Sequence, residues 1–519
     1  LFGDAAYWNP VANYKEVTTK SNVSRLLGDV YAEFQLAKGL TFKTNFGLDI
    51  ANKRDYNYTT SKITTSTGYG KGGNGYTKKM SRLTENILSY MNEWGDHRFT
   101  ATGVYSWQNY MYETLSISGN GFANDETGAW DMGQANRETV EYGSDKYENS
   151  LISWTGRVTY AYKDRYLLTA TARYDGSSRF GENNKWGFFP SIGLAWRASE
   201  EKFLAGNKVI TNLKVRGSFG VTGNQEIGNY KSLAQLKVDN YIYNDTEIQG
   251  FYETIGNPDL KWERANQFDI GIDLSLWNRI HVTADYYHRK TSDLLYNVPI
   301  PSTSGFSSML SNVGSVLNKG WELSITGNII DLNDLKIDAT VNLSRNTNKI
   351  KELYNDVQSI TLKSGLGLSS YLKVGESLNS RYALLADGII RTEEQLAAYR
   401  KIEATAKMGD EMYKDLDGDG RITNGSNTAD DPGDLSVIGN TTPRFNYGFR
   451  LGADYKGFDM QLFFQGVGKV DGYLNSHYVI PCVNSSAIKT WQLDYWREDN
   501  TDSEFPRLST TSTNNTQNS

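Results

Sequence analysis

Cysteine is almost missing from the 519 residues: the single Cys482 excludes an intrachain disulfide framework and any site built from several thiolates. Four histidines, His97, His281, His288 and His477, are scattered without ligand spacing, so a zinc-type or thiol-dependent enzyme has no residues to work with. No catalytic set is expected, no cofactor is required, and the chain reads as a non-enzyme. Proline is scarce at 9 residues while glycine reaches 49, which favours long uninterrupted strands joined by glycine-rich turns. No run of about 18 apolar residues exists, so no transmembrane helix is expected. The opening "LFGDAAYWNP" has no basic stretch followed by an apolar one, so no secretory leader is expected within this chain. A net charge of -6 with no Lys/Arg run argues against nucleic acid as a partner.

What the chain does have is alternation. Only 38% of residues are hydrophobic, yet 34 Tyr, 20 Phe and 12 Trp bring the aromatics to 13%. From Ile152 every second residue is apolar or small (Ile152, Trp154, Gly156, Val158, Tyr160, Tyr162), and Ser153, Thr155, Arg157 and Thr159 lie between them. After Lys163–Arg165 the pattern restarts with Leu168, Ala170, Ala172 and Tyr174 opposed to Thr169, Thr171, Arg173 and Asp175. Period two means strand, and two strands around a three-residue break mean a hairpin. The same alternation returns from Phe268, from Leu335 and from Phe445, in runs of about ten residues, with the first strand placed at about Asn22. Brief turns are expected around Lys38-Gly39, Trp94-Gly95, Lys163–Arg165, Trp277–Arg279, Asp331–Asp334 and Tyr455–Gly457, with only Ser199–Thr211 longer on that side. Longer polar segments lie between them, chiefly Ser116–Tyr147, Gly223–Trp262 and Lys351–Thr442. Short turns on one side and long loops on the other are the signature of a transmembrane antiparallel β-barrel whose apolar face meets lipid. The fold class is therefore all-β, with about fourteen strands and long extracellular loops. Tyr160, Tyr162, Tyr286, Trp321 and Tyr455 are read as interfacial aromatics.

Seven segments in order resemble the barrel of the SusC/RagA family of TonB-linked outer-membrane transporters of the Bacteroidetes. They are "ARYDGSSRFG" (Ala172–Gly181), "FFPSIGLAWRASEE" (Phe188–Glu201), "LKVRGSFGVTGNQEIGNY" (Leu213–Tyr230), "GNPDLKWE" (Gly256–Glu263), "DYYHRKTSDLL" (Asp285–Leu295), "NVGSVLNKGWEL" (Asn312–Leu323) and "IGNTTPRFNYGF" (Ile438–Phe449). The resemblance implies energised import of a glycan or peptide across the bacterial outer membrane. It implies a SusD-like lipoprotein over the extracellular mouth, outer-membrane lipid around the wall, and drive from the TonB–ExbB–ExbD complex acting on a plug. It also implies that residues 1–519 are a partial barrel, about 14 of an expected 22 strands. Signal peptide, carboxypeptidase-regulatory-like domain, plug and closing strands are then expected elsewhere in a longer protein. A passive porin and a structural or adhesive barrel are the alternative functions.

"DLDGDGRIT" places Asp415, Asp417 and Asp419 at positions 1, 3 and 5 of a calcium-type loop, with Gly420 at the sharp turn. Ser426 stands where a bidentate Glu is usual, so Asp430, Asp431 or Asp434 would have to complete the shell; Asp430 is taken as the fourth candidate ligand of a structural Ca2+. The alternative is a solvated acidic turn. Upstream, Thr392 and Gln395 have capping-box spacing, predicting a short helix in that loop. "GKGGNG" (Gly70–Gly75) lacks the strand, Lys-Ser/Thr and helix of a phosphate loop and is read as a flexible loop. The charges Arg157, Arg173, Asp175, Lys214, Arg216, Asp269, Asp273 and Arg450 are assigned to the polar face, hydrating the wall and holding a plug. Trp130, Tyr241, Tyr243 and Tyr252 are the candidate substrate-stacking aromatics.

Overall fold

In the computed structural model, which describes residues 10–63, 69–243, 246–306, 308–354, 357–363, 369–426, 430–472 and 488–509, a short helix α1 (Pro10–Glu16) leads into the first strand. Fourteen strands form one sheet: β1 (Val17–Ala37), β2 (Leu40–Thr59), β3 (Gly70–Trp94), β4 (His97–Phe122), β5 (Glu141–Tyr162), β6 (Tyr166–Ser177), β7 (Trp186–Arg197), β8 (Ile210–Asn224), β11 (Glu263–Leu276), β12 (Ile280–Ser292), β15 (Ser315–Asp331), β16 (Leu335–Glu352), β23 (Phe445–Tyr455) and β24 (Phe458–Gly468). They follow one another in sheet order as in sequence. The remaining strands sit in the long connections as separate pairs: β9 (Gln235–Tyr243) with β10 (Thr246–Thr254), β13 (Leu295–Pro299) with β14 (Ser308–Asn312), β17 (Ser359–Lys363) with β18 (Ser370–Lys373), β19 (Ser380–Ala383) with β22 (Ser436–Asn440), and β20 (Ala386–Ile389) with β21 (Glu411–Tyr413).

All six brief turns fall where the sequence places them, and the 198–209 connection is the one longer turn on that side. The backbone explains their residues. Lys456 (φ 47°) and Gly457 (φ 91°) occupy the left-handed region, as do Lys163 (φ 53°) and Asp164 (φ 51°), the geometry that lets a tight turn follow the twist of its strands.

Several expectations are corrected. Strands of about ten residues become strands of 25 and 26 in β3 and β4, and β1 begins at Val17 rather than about Asn22. At about 3.3 Å per residue such strands outreach any bilayer and continue past it on the long-loop side. Both ends of Ser116–Tyr147 are therefore strand, and the connection proper is the shorter 123–140. "GKGGNG" is likewise the start of β3, in register with Asp55–Thr59 of β2 and Ser116–Phe122 of β4. Tyr286 and Trp321 lie within their strands, directly opposite each other, while Tyr160 and Tyr162 close β5.

The chain splits into two compact units: 1–194 with 220–263 and 295–312, and 195–219 with 264–294 and 313–519. In both, exposure is inverted relative to a water-soluble sheet. Trp154 is 55% exposed and Leu194 59%, whereas Ser153 is 2% and Asp175 6% exposed. Phe268, Ile270 and Ile272 of β11 and Tyr447 and Phe449 of β23 repeat the pattern. No second layer covers Ile152, Trp154 or Val158, and buried apolar clusters are found instead where the connections pack. A sheet this apolar on its open face needs a non-aqueous neighbour.

Candidate functional site

The polar face of the sheet is organised by arginines that reach across strands. In the second unit Arg216 on β8 lies 2.7 Å from Asp285 on β12 and 3.4 Å from Asp273 on β11, and Lys214 adds a contact of 3.6 Å to Asp273. Gly271 makes room for this bridge: a Cβ there would meet Asp285 Oδ1 at 2.3 Å and Arg216 Cζ at 2.7 Å. Asp269 accepts from Ser218 Oγ at 3.2 Å and from Gln267 Nε2 at 2.9 Å. Arg450 pairs with Asp338. In the first unit Arg173 Nε donates to both Asp175 oxygens at 2.7 Å, and its Nη2 donates to Ser153 Oγ at 3.1 Å; Arg157 is exposed. All eight charges assigned to the polar face belong to this wall, and most already have partners, which favours a structural role.

Four of the motif segments converge, which their distance in sequence conceals. Phe180, Phe189, Val221, Ile227, Leu260 and Trp262 form one buried cluster. Trp262 Nε1 donates to Lys185 O at 3.0 Å, and Arg179 donates to Gln225 O at 3.1 Å. The connections after β6, β8 and β10 are therefore fastened together rather than free.

The connection between β16 and β23 is a small folded body of its own. Thr392 caps α2 (Glu393–Tyr399): its Oγ1 accepts from Gln395 N at 3.2 Å while Gln395 Oε1 accepts from Thr392 N at 3.1 Å. The helix ends at Tyr399, shorter than the "TEEQLAAYRKIEA" pattern, and packs Leu396 and Tyr399 with Ile390 and Ala406. Burial pushes the Tyr399 hydroxyl pKa up, and burial raises the Glu411 carboxyl as well. Chain beyond β24 docks here through residues that sequence reading missed: Arg507, in "FPRL", donates to Asp410 at 2.6 Å, and Arg391 donates to Ser503 O at 2.7 Å.

In that body the side-chain oxygens of Asp415, Asp417 and Asp419 lie within 4.8 Å of one another. Gly418 (φ 77°) and Gly420 (φ 79°) curl the chain, and both of their N–H groups donate to Asp415, at 2.7 and 2.9 Å. The Asp419 backbone N–H lowers the Asp417 pKa, but desolvation and the carboxylates of Asp419, Asp434 and Asp415 outweigh it and raise the group. Asp434, fully buried, accepts from Leu416 N at 2.6 Å and Thr423 N at 2.7 Å, closing the loop. Asp430 is not among the three gathered carboxylates; it accepts from Ser359 Oγ at 2.8 Å.

Trp130 is half exposed but already stacked, 4.5 Å from the Tyr56 ring, with the Arg54 guanidinium 4.9 Å over it. Tyr241, Tyr243 and Tyr252 lie on the β9–β10 hairpin; their side chains fall outside the described residues.

Comparison with known proteins gives the wall its place. The family described as "TonB dependent receptor-like, beta-barrel" matches residues 2–497. TonB-dependent receptor P3 of Formosa agariphila is 33% identical over 510 residues, 96% of this chain and 50% of the relative. TonB-dependent receptor SusC of Bacteroides thetaiotaomicron is 30% identical over 436 residues, 80% of this chain and 41% of the relative. A solved structure of the RagAB peptide transporter superposes with a TM-score of 0.82 at 27% identity, over 95% of this chain and 53% of that one. This chain spans about half the length of these relatives. A fourteen-strand antiparallel sheet with apolar residues exposed and charges paired on the opposite face, matched along nearly all of its length, belongs to the TonB-dependent receptor-like β-barrel family.

Proposed function

We propose that this chain is the barrel portion of an active importer of the SusC/RagA type, seated in the bacterial outer membrane. It takes up a nutrient oligomer, peptide or glycan, with a SusD-like lipoprotein over its long-loop side and energy from TonB–ExbB–ExbD. The observation that carries the reading is the inverted exposure of the sheet, with Trp154, Leu194 and Ile270 open and Asp175 and Ser153 buried. A wall of this kind needs lipid outside and a polar interior. The names of the matched proteins, a SusC receptor and a peptide transporter, support nutrient import.

The test is uptake of labelled peptides and oligosaccharides by cells making the full-length protein with its neighbouring lipoprotein, with and without TonB. Uptake should vanish without TonB. Equal uptake in both strains would make the protein a passive porin. In the same reading Asp415, Asp417 and Asp419 hold a Ca2+ ion that stiffens the β16–β23 connection; three hard carboxylates converging at a glycine-curled loop fit that ion. Chelation, or replacing Asp417 and Asp419 by Ala, should speed proteolysis within 353–444. Identical digestion with and without chelator would reject the ion.

A further inference from the structure

On the apolar face of β1 to β5 the charges are not scattered. Residues opposite each other in an antiparallel pair share a face, so the register sorts every position. From the Trp94-Gly95 turn upward, β3 presents Trp94, Asn92, Tyr90, Leu88, Asn86 and Thr84 on this face. Their partners on β2, β4 and β5 contain no Lys, Arg, Asp or Glu. Ten residues at about 3.3 Å, tilted about 45°, cross roughly 25 Å, the height of a barrel's apolar band.

Charge begins at the next position, Arg82, and it is basic. The rows above it carry Lys78 and Lys146, then Arg54, then Lys20, five cations against the two carboxylates Glu113 and Glu148. Among the described residues none of the five makes an ion pair within 4.0 Å, although Glu113 lies in the same row as Lys78 and Lys146. On the opposite face at this height Arg25 and Lys53 are paired, with Asp49 at 2.7 Å and Asp55 at 2.8 Å. Beside the basic rows runs a groove of about 630 Å³ lined by Arg54, Tyr76, Leu115, Ile117 and Tyr142. Its Tyr142 is 85% exposed.

We propose that this strip holds the phosphorylated head group of an outer-leaflet glycolipid, the cations taking its phosphates and the groove aromatics its sugar faces. The inference rests on the outer-membrane reading above. From the Arg82 row to the Arg54 row the strip continues the lipid-facing belt on its long-loop side, so its neighbour is the lipid of that leaflet; at the Lys20 row the 123–140 connection meets the same face, where Trp130 stacks on Tyr56. Cations that make no ion pair among the described residues, Arg54 resting on the Trp130 ring, gain charge-assisted contacts with phosphate oxygens at the edge of the band. Aromatic side chains beside them favour a sugar-bearing head group over a plain phospholipid.

The experiment uses the full-length protein extracted from outer membranes in mild detergent, with retained glycolipid measured by mass spectrometry and rebinding measured in phosphatidylcholine nanodiscs with and without lipid A. Substitutions Arg54→Gln, Lys78→Gln and Lys146→Gln should each lower glycolipid retention about fivefold, while Lys78→Arg retains it. Lys79→Gln, on the next residue but the other face, should change nothing. Retention by the triple variant equal to wild type overturns the proposal, as does an equal loss with Lys79→Gln. Displacement of lipid A by inorganic phosphate alone would reassign the strip to free anion and also overturn it. Should the triple variant fail to insert, the single substitutions give the same readout. Absence of wild-type protein from the outer-membrane fraction would instead defeat the functional reading, and this strip with it.

Discussion

Gly72 sits where β2, β3 and the 123–140 connection meet, and no side chain fits there. A Cβ would lie 2.6 Å from Tyr58 Cδ2, 2.7 Å from Ala129 Cβ and 3.0 Å from Asn57 O. Gly72→Ala should therefore cost about 1–3 kcal/mol through overpacking and expose 123–140 to protease, whereas Gly103→Ala, with nothing within 4 Å of its Cβ, should be neutral in the same digestion and melting assays. Glu411 offers a pH test. Burial raises its folded pKa above 4.5, so the folded state holds its proton more tightly than the unfolded chain does. Its contribution is complete below the unfolded value and declines as pH rises through the raised one. Glu411→Gln should flatten that decline, read as hydrogen exchange in β20 and β21 between pH 4 and 8; an unchanged profile would assign the pH dependence to other groups. Some residue roles were legible from spacing alone. Asp415, Asp417 and Asp419 meet because alternate positions on a curled chain converge. Arg216 and Asp285 were not legible as a pair, since 69 residues separate them and only the strand register joins them.

Strands were legible because a face that meets lipid and a face that meets charge demand strict alternation, and turns were legible because tight reversals demand left-handed residues. Strand length was not, since nothing in a period-two pattern marks where lipid ends and water begins. The glycine run Gly70–Gly75 misled for a related reason: glycine signals flexibility only when nothing packs against it, and here Tyr58 and Ala129 do. Helix α2 was visible through its cap. Thr392→Ala removes the acceptor for Gln395 N and should cost about 1 kcal/mol, seen as faster amide exchange through Glu393–Tyr399. Exchange unchanged there would mean that packing of Leu396 and Tyr399 alone holds the helix. The hairpins β9–β10 and β13–β14 escaped notice because each is a lone pair of strands that joins no larger sheet.

At the scale of the molecule, the wall and the connections are separable constructions. Strands β17 to β22 pair only among themselves and none joins the fourteen-strand sheet, so the 353–444 body adds no strand to the wall. It is fastened to the end of β16, where Ile350 N–H donates to Glu376 O at 2.7 Å and Leu378 N–H donates to Asn348 Oδ1 at 2.8 Å. Its own core of Ile390, Leu396, Tyr399 and Ala406 and the clasp of Arg507 on Asp410 keep it folded. A body built this firmly above a barrel suits a docking platform better than a swinging cover, because ordering cost has already been met before a partner arrives. Removing 353–442 from the full-length protein and bridging the ends with a short flexible linker should leave membrane insertion intact. The pairing of β16 with β23 from Leu335 through Arg345 is untouched by the cut. Association with the proposed SusD-like lipoprotein should weaken, measured by co-purification of the tagged lipoprotein. Loss of insertion would show that the body supports the wall after all, and undiminished co-purification would move the lipoprotein's footing to the other long connections, with 225–262 and its β9–β10 hairpin next in line.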